Sequence, residues 1–343
     1  MSVRTPLRNL AEYLPARLAT SFISCFPAER NLATCDAISR VYARLVPRHV
    51  KRATDNLHAS FPQWDEARVQ RTARESIRYL FQLAAVDAPS LERSIRPCNW
   101  HRRINMNGAT PCMEHLNADK PALLLTGHCG NWELLGYALS VVGYPMHALA
   151  RPLDNPLLNN WLLGIRQTWG LKVLTKWGAT PVMQQIIESG GRLGFIADQN
   201  AGHNGVFVPF FGRLASAYKS IALLAMHHEI PILVATARRR GQTVQYDMVV
   251  SDIITPDDWQ SQEDPLYYIT ARYTYALETL VRQCPEQYLW MHRRWKSRPR
   301  HVRRGQPMSD SLAKQIRGLP WLDDAQAARI IDTSNHEAMS APQ

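Results

Sequence analysis

The spacing of apolar and polar positions divides the chain into a helical part and an alternating part. Up to about residue 95, apolar residues recur at helical spacing and predict helices over Leu10–Phe26, Leu32–Leu45 and Glu66–Val86. From Trp100 onward, short apolar runs alternate with helical segments. Such alternation is typical of an α/β fold with a mostly parallel sheet flanked by helices.

Eleven segments of this second part carry the prediction. The predicted strands are 122–126, 146–150, 171–174, 192–197, 231–238 and 243–250, and the predicted helices are 132–142, 156–168, 180–188, 218–228 and about 265–283. The pattern predicts three regions: a helical N-terminal region, an α/β domain, and a peripheral helix with a loose C-terminal tail. The basic cluster at 48–52 suggests that the first region faces a membrane, and a solvated helix end is the alternative. Their expected bounds are 1–98, 99–305 and 306–343.

The most informative stretch is Ala122–Val142, which reads ALLLTGHCGNWELLGYALSVV. Its first residues predict a buried strand, and its last predict a helix with Asn131 as the N-cap. His128 lies between them, in a turn at the carboxyl end of the strand. Open α/β sheets bind their ligands at this edge.

The pairing of His128 with Glu133 predicts acid–base chemistry. On one continuous helix the two side chains would point about 140° apart, but Gly130 lets the chain turn so that Glu133 can reach back to the imidazole. A carboxylate that holds one imidazole nitrogen leaves the other as a general base, and the nucleophile would be a hydroxyl of a second substrate. A transferase is the natural interpretation. The alternative is a lone loop histidine followed by a glutamate that stabilises the next helix.

Four blocks, in order, resemble one known family. They are GHCGNWEL at 127–134, RPLDNP at 151–156, DQN with GVFVPFFG at 198–212, and PEQYLWMHRRWKSRP at 285–299. Over roughly residues 50 to 300 the chain is similar to the bacterial lipid A biosynthesis (lauroyl/myristoyl-type) acyltransferases, within the glycerolipid acyltransferase superfamily. The resemblance implies transfer of a fatty acyl group from acyl carrier protein or acyl-coenzyme A to a hydroxyl of a glycolipid or phospholipid, without a cofactor.

The resemblance also assigns roles to residues. His128 would be the general base, oriented by Glu133, while Arg151 would bind phosphate or an oxyanion; an exposed turn residue paired with Asp154 is the competing interpretation for this arginine. The remaining predicted substrate-binding residues are Asn131, Asp198 and Gln199. The candidates for an acyl-chain channel are Trp132, Val206, Phe207, Phe210 and Phe211, and for the last four a place in the core competes.

The formal net charge of +11 predicts an acidic partner. Basic stretches at 48–52 and 293–304, the second interleaved with tryptophan, suit an anionic membrane surface, an acidic carrier or a nucleic acid. The resemblance favours lipid and carrier, with Arg293 and Arg294 steering the carrier, and argues against nucleic acid. A non-catalytic protein that binds anionic lipid or nucleic acid is the runner-up.

Cysteine usage and hydropathy bound the cellular setting. The six cysteines form no C-x-x-C pair and no metal-type spacing, so we expect free thiols, a reducing compartment and no metal. Cys129, next to His128, is the one residue that suits a rival covalent route. No window approaches the ~20 apolar residues of a spanning helix. Hydropathy therefore predicts a protein that is soluble or bound to one membrane face, and the resemblance implies peripheral attachment at the cytoplasmic face of the inner membrane.

Overall fold

A computed structural model describes residues 6–118, 120–175 and 179–340. Its N-terminal part is helical: α1 (Pro6–Ile23), α2 (Ala28–Leu45), α3 (Pro47–Ser60), α4 (Glu66–Gln82), one π-helical turn (Leu83–Asp87) and α5 (Ala88–Ser94). The three predicted helices are present. Helix α3 was missed because its sequence is polar, although Pro47 at its first turn is a typical start and Leu57 is fully buried.

The rest of the chain alternates strands and helices, as the pattern predicts. In order these are β1 (Ile104–Asn105), α6 (Met113–Asn117), β2 (Ala122–Thr126), α7 (Trp132–Val142), β3 (His147–Ala150), α8 (Pro156–Gln167), β4 (Lys172–Thr175), α9 (Ala179–Glu188), β5 (Arg192–Ile196), β6 (Val206–Phe210), β7 (Arg213–Ala217), α10 (Lys219–His228), β8 (Ile232–Arg239), β9 (Tyr246–Ile254), α11 (Pro256–Trp259), α12 (Pro265–Gln283), α13 (Arg300–Arg303), α14 (Asp310–Arg317) and α15 (Asp324–Met339). Short 3₁₀ turns at 100–102, 107–112 and 285–287 join some of them.

One seven-stranded sheet, in the order β1-β9-β8-β2-β5-β3-β4, forms the centre of the molecule. All neighbours are parallel except β8 and β9, so the prediction of a mostly parallel sheet flanked by helices is confirmed. Strand β2 is buried at every position. Leu123 and Leu125 pack on the face that α10 and α12 cover, whereas Leu124 packs on the opposite face with Leu139 of α7.

Strands β6 and β7 form a separate antiparallel hairpin that the sequence pattern did not predict. Its two-residue turn is Phe211-Gly212, with φ values of +52° and +70°. A phenylalanine in the left-handed region is unusual, and the usual Asn-Gly signal is missing. Tertiary contacts hold it there, since Phe211 is buried and its backbone N–H donates to Glu278 Oε2 at 2.5 Å.

The C-terminal part is more ordered than the sequence indicated. Two helices follow residue 306, and α15 begins at a capping box on Asp323 and runs to Met339. Ile316 of α14 and Ile330 and Ile331 of α15 join the main core cluster. The last three residues lie outside the described part of the chain, so the predicted loose end stays a prediction.

Among the described residues, no helix is both long and apolar enough to cross a membrane. Helix α1 nevertheless carries an exposed apolar stripe: Leu7, Leu14, Leu18 and Phe22 are 80%, 47%, 70% and 68% exposed. Its other side packs on the body, where Asn155 Nδ2, at the start of α8, donates to the carbonyl of Asn9 at 2.9 Å. The stripe therefore faces away from the protein.

Candidate active site

The parallel pairing of β2 with β5 brings His128 and Asp198 together. Thr126 and Ile196 are register partners at the two strand ends, and each functional residue follows two positions later. Gly127, between strand and histidine, leaves room for this approach, because a side chain there would press on the Asp198 carboxyl. His128 Nδ1 lies 2.8 Å from Asp198 Oδ1. The structure thus places an imidazole–carboxylate pair at the carboxyl edge of the sheet.

Burial makes this pair electrostatically strong. The His128 side chain is 17% exposed and that of Asp198 is 3% exposed. Burial alone would raise the pKa of Asp198, but the charge of His128 and its hydrogen bond outweigh burial and hold that pKa below its ordinary value. For His128, burial lowers the pKa, whereas Asp198 and, more weakly, Glu133 raise it, and the net pKa is raised. An ionised Asp198 fixes the proton on Nδ1 and leaves Nε2 as the acceptor.

Glu133 does not hold the imidazole as the sequence predicted. Its carboxylate instead forms a two-pronged ion pair with Arg166 of α8, at 2.7 Å from Nε and 2.6 Å from Nη2. Glu133 lies in the first turn of α7, which points its side chain toward Arg166 of the neighbouring helix α8. The charge of Glu133 still acts on the imidazole, since it contributes to raising the pKa of His128, but Asp198 is the hydrogen-bonded partner.

Two further predicted residues surround the free side of the imidazole. Gln199 Nε2 lies 3.2 Å from His128 Nε2, in the geometry of an amide N–H that donates to the unprotonated nitrogen. The Trp132 ring packs against the imidazole, with centroids 4.9 Å apart. Both side chains therefore limit which atoms of a substrate can reach Nε2.

The loop that carries His128 is held from two sides. Gly130 has φ +61°, and a side chain there would collide with the carbonyl of Ala237 and the hydroxyl of Thr236, so only glycine fits. On the other side, the backbone N–H of Leu289 donates to the carbonyl of His128 at 3.0 Å. The segment 285–290 is thus a scaffold for the histidine.

Asn131 supports the loop and lies within the protein. It is fully buried, and its Oδ1 caps α7 by accepting the backbone N–H of Leu134 at 2.9 Å, as predicted. Its Nδ2 donates to Asp87 Oδ2 at 3.0 Å, and Asp87 forms a buried ion pair with Arg239 at the end of β8. These contacts are those of a residue that anchors the loop to the N-terminal helices.

Cys129 is enclosed beneath the histidine. Its Sγ lies 3.5 Å from Sγ of Cys284, and both are free thiols. The hydrogen bond with Cys284, together with burial, raises the pKa of the Cys129 thiol well above its ordinary value. A protonated, buried thiol is a poor nucleophile, which argues against the covalent route.

Arg151 lies at the same edge of the sheet but points to solvent. It follows directly on β3, whose neighbour is β5. Its side chain is 70% exposed, and Nη2 donates to Asp154 Oδ1 at 3.1 Å, the arrangement of the exposed turn residue that competed with the functional interpretation. Its assignment to phosphate or an oxyanion stays a prediction.

The predicted acyl-channel residues fall into two groups. Phe210 and Phe211 are buried in an aromatic core that includes Phe61 and Trp290, which matches the competing interpretation. Val206 and Phe207 instead line an open groove near α14.

A narrow apolar cavity opens beside the imidazole on the other face of the sheet. Trp132 and the Glu133–Arg166 pair form its polar end. From that end the cavity extends between α7 and strands β2, β3 and β5. Its lining there consists of Leu124, Leu135, Gly136, Leu139, Met146, Ala148, Leu171, Val173 and Gly194. Of the five channel candidates, Trp132 is the one that borders it. Hydrophobic periodicity gave no signal for this cavity, because its walls are ordinary core-facing positions.

Sequence reasoning missed the residues that hold the Asp198 loop. Arg294 is 1% exposed, donates to the carbonyl of Ser216, and stacks over Phe210, so it is not a surface cation as expected. Burial lowers its pKa. His292 Nε2 accepts the backbone N–H of Asn200 at 3.4 Å, and burial lowers its pKa too. The sequence feature that could have pointed to Arg294 and His292 was their position in the block at 285–299.

The described residues hold no cluster of three or more His, Cys, Asp or Glu side chains arranged for a metal ion. What the site does hold is a buried acid–base pair beside an apolar cavity, at the edge where α/β enzymes bind substrate. A buried acid–base pair beside an apolar cavity is an arrangement suited to proton transfer on a partly apolar substrate.

Comparison with known proteins identifies the family. Residues 7–297 match the family model described as bacterial lipid A biosynthesis acyltransferase, so the chain belongs to this family. It is 25% identical over 244 residues to the lipid A biosynthesis acyltransferase of Haemophilus influenzae, covering 70% of this chain and 73% of that protein. It is 26% identical over 275 residues to the lipid A biosynthesis lauroyltransferase of Escherichia coli, covering 77% and 85% respectively.

Proposed function

We propose that this acyltransferase moves a fatty acyl group from a thioester donor to a hydroxyl of a lipid A-type acceptor, with His128 as the general base. The observation that carries the proposal is the Nδ1–Oδ1 contact of 2.8 Å between His128 and Asp198, beside an apolar cavity. Membership of the family supports the reaction class and the kind of acceptor. The His128–Asp198 chemistry is our inference from the geometry.

The proposed reaction needs one proton carrier. The acceptor hydroxyl replaces the Gln199 amide at Nε2 and gives its proton to the imidazole while its oxygen attacks the thioester carbonyl. The carbon–sulfur bond then breaks, and the imidazolium returns the proton to the departing thiolate. Asp198 holds the ring and stabilises its positive charge throughout. No external acid, base or metal is required for this balance.

Glu133 has a different part in this proposal from the one predicted by sequence. Its charge supports a protonated imidazole, and its ion pair with Arg166 forms the polar rim of the apolar cavity. The rim would lie where the thioester meets the chain. Arg166 would then border the carbonyl of the donor and could bind the oxyanion. The resemblance gave binding of phosphate or an oxyanion to Arg151.

The fatty chain is proposed to occupy the apolar cavity between α7 and the sheet. The lining contains two glycines, Gly136 and Gly194, at positions where a larger side chain would fill the space. A single extended hydrocarbon chain suits a narrow apolar channel. This location replaces the stretch at Val206–Phe211 as our candidate for the acyl chain.

The membrane side of the proposal rests on α1. Its stripe of Leu7, Leu14, Leu18 and Phe22 is continuous along one face of the helix, a pattern typical of helices that lie in a membrane interface. We infer peripheral attachment at the cytoplasmic face of the inner membrane, where both a lipid acceptor and an acyl carrier protein can reach the enzyme. Acyl carrier protein is the favoured donor, with acyl-coenzyme A as the alternative.

The direct test is transfer from acyl carrier protein to a lipid A precursor in mixed micelles, read by mass spectrometry. Wild type should add one acyl chain, and His128→Ala should lose at least about a hundredfold in rate. Circular dichroism and vesicle binding of the variant should match wild type. A variant that transfers within a few-fold of wild type would remove His128 from the mechanism, and wild type without transfer would overturn the function.

A further inference from the structure

The charged side chains that line a cleft between α2, α3 and α4 are mostly exposed cations. It encloses about 960 Å³. Its ionised lining residues are Arg40, Arg44, Lys51, Arg71, Arg74 and Arg78, against Asp36 and Glu75. Each helix presents one face to it, since the lining positions on each are spaced three and four residues apart. The positive charge is therefore gathered into one concave surface.

Among the residues that the structure describes, three of these cations form no ion pair. Arg40 pairs with Asp36 at 3.0 Å and Lys51 with Asp55 at 2.8 Å, whereas the described part of the chain gives no ion pair to Arg44, Arg71 or Arg74. Unpaired cations that share a cleft repel one another, so they raise the free energy of the unoccupied protein. A polyanionic partner relieves that repulsion, and a concave surface focuses its field on such a partner.

Helix α3 separates the cleft from the segment that holds His128. Its wall on α3 includes Lys51 and Thr54, and the opposite side of the same helix faces the active-site scaffold. There Asn56 Nδ2 donates to the carbonyls of Trp290 at 2.8 Å and His292 at 3.1 Å. The neighbouring Leu289 holds the carbonyl of His128. A partner in the cleft is thus separated from the site by α3, with a diameter of roughly 10–12 Å, and by the segment at 289–292.

The geometry of α2 separates the cleft from the membrane-facing surface. At about 100° per residue, its cleft positions Asp36, Arg40 and Ala43 lie roughly opposite Ile38, Val41 and Leu45. These last three are 42%, 53% and 76% exposed and are apolar, like the stripe of α1. If the apolar faces rest on lipid, Arg40 faces water, and Arg44 lies at the side of α2 between the two faces. That orientation favours a soluble acidic partner over a lipid headgroup.

We propose that this cationic cleft is the docking site of the acidic acyl carrier protein that delivers the thioester, an inference that rests on the proposed function. Acidic residues of the carrier pair with Arg44, Arg71 and Arg74, and its flexible prosthetic arm passes beside α3 to bring the acyl group to His128. The cleft contributes encounter rate and affinity, and it takes no part in the chemical step.

The test compares two triple variants of equal charge change. The cleft variant carries Arg44→Ala, Arg71→Ala and Arg74→Ala. The control variant carries Arg102→Ala, Arg317→Ala and Arg329→Ala, three exposed arginines in the 3₁₀ turn at 100–102, on α14 and on α15. Binding of unacylated carrier protein, binding of vesicles of phosphatidylethanolamine and phosphatidylglycerol, and steady-state transfer are measured for both at low and high salt.

We expect the cleft variant to bind carrier at least about tenfold more weakly at low salt, with a raised KM for the carrier thioester and little change in kcat. Transfer from the uncharged N-acetylcysteamine thioester and vesicle binding should stay within twofold of wild type. The control variant should behave as wild type in all assays. High salt should narrow the difference between cleft variant and wild type.

Two results would overturn the docking site: equal carrier binding by the two triple variants, or loss of vesicle binding by the cleft variant alone, which would assign the cleft to the membrane. Failure of the proposed function has a different signature. In that case no donor, charged or uncharged, supports transfer by wild type, whatever the cleft binds.

Discussion

His128 Nδ1 and Asp198 Oδ1 lie 2.8 Å apart because β2 and β5 are parallel neighbours whose ends are in register. Seventy positions separate the two residues in the chain, and the sheet closes that distance. The carboxylate of the family's histidine motif, Glu133, is instead bound by Arg166. Asp198 and Glu133 therefore contact different residues, and substituting each one alone can separate their contributions.

The first prediction concerns Asp198→Asn. An amide cannot stabilise the imidazolium and no longer fixes the Nδ1 proton, so we expect kcat to fall by about 10²–10⁴. Thermal unfolding should show that the variant folds. Combined with His128→Ala, the substitution should add little, because the two residues act as a unit. Full additivity would show that they act independently.

The second prediction concerns the pH dependence of Glu133→Gln. The base acts when neutral, so kcat/KM should rise with pH through the pKa of His128, which is raised above its ordinary value of about 6.5. Removing the Glu133 charge removes one of the causes that raise the pKa of His128. The acid limb of the profile should therefore move to lower pH, while kcat at the plateau falls less than in Asp198→Asn.

Conservative variants check this assignment. Glu133→Asp keeps the charge, so its acid limb should stay near that of wild type even if the shorter side chain weakens the pair with Arg166. Glu133→Gln could instead leave the acid limb unshifted and lose activity as fully as His128→Ala. That result would contradict an effect of Glu133 through its charge alone and would favour direct contact with the imidazole.

The third prediction concerns Cys129. Because its thiol is buried against Cys284 and its pKa is raised, Cys129→Ala should keep transfer within a few-fold of wild type. The cost should appear in stability, as a lower midpoint of thermal unfolding from the small void. Mass spectrometry of the enzyme with donor alone should find no acyl adduct on this residue. An acylated Cys129 peptide would establish the covalent route.

The fold was predictable from sequence because its elements carry local signals. The buried run of β2, the cap at Asn131 and the alternation after Trp100 each follow from neighbouring residues. The hairpin at Phe211 was not predictable in this way. Its left-handed turn depends on Glu278, sixty-seven positions away in the chain, and on aromatic packing.

The sequence predicted some residues of the candidate site, but not how those residues pair. His128, Asp198 and Gln199 each end an apolar run, so a shared sheet edge was expected. Which carboxylate meets the imidazole depends on strand order, and no local pattern encodes that β5 lies next to β2. Arg294 shows the same limit, because arginines are usually exposed and only the folded chain reveals its burial.

The fourth prediction concerns chain length. Gly194 lines the apolar cavity, and an added Cβ would sit 3.5 Å from Met146 Cε, which is ordinary contact. Gly194→Ala should therefore fold and narrow the cavity, and Gly194→Val should obstruct it further. In competition assays with mixed acyl donors, the preferred chain should become shorter from wild type to alanine to valine. An unchanged preference in folded variants would place the chain elsewhere.

The last prediction concerns attachment through α1. Leu18 and Phe22 are 70% and 68% exposed on the stripe, and transfer of such side chains from water to an apolar environment is worth about 1.5–3 kcal/mol each when complete. Leu18→Gln with Phe22→Gln should therefore weaken vesicle binding by at least about tenfold, while transfer in detergent micelles stays near wild type. Leu223→Gln, which changes a 46% exposed leucine on α10, is the matched control and should leave vesicle binding unchanged. Salt should weaken binding further if nearby cations contribute. Equal binding by the α1 variant and this control would show that another surface holds the protein on the membrane.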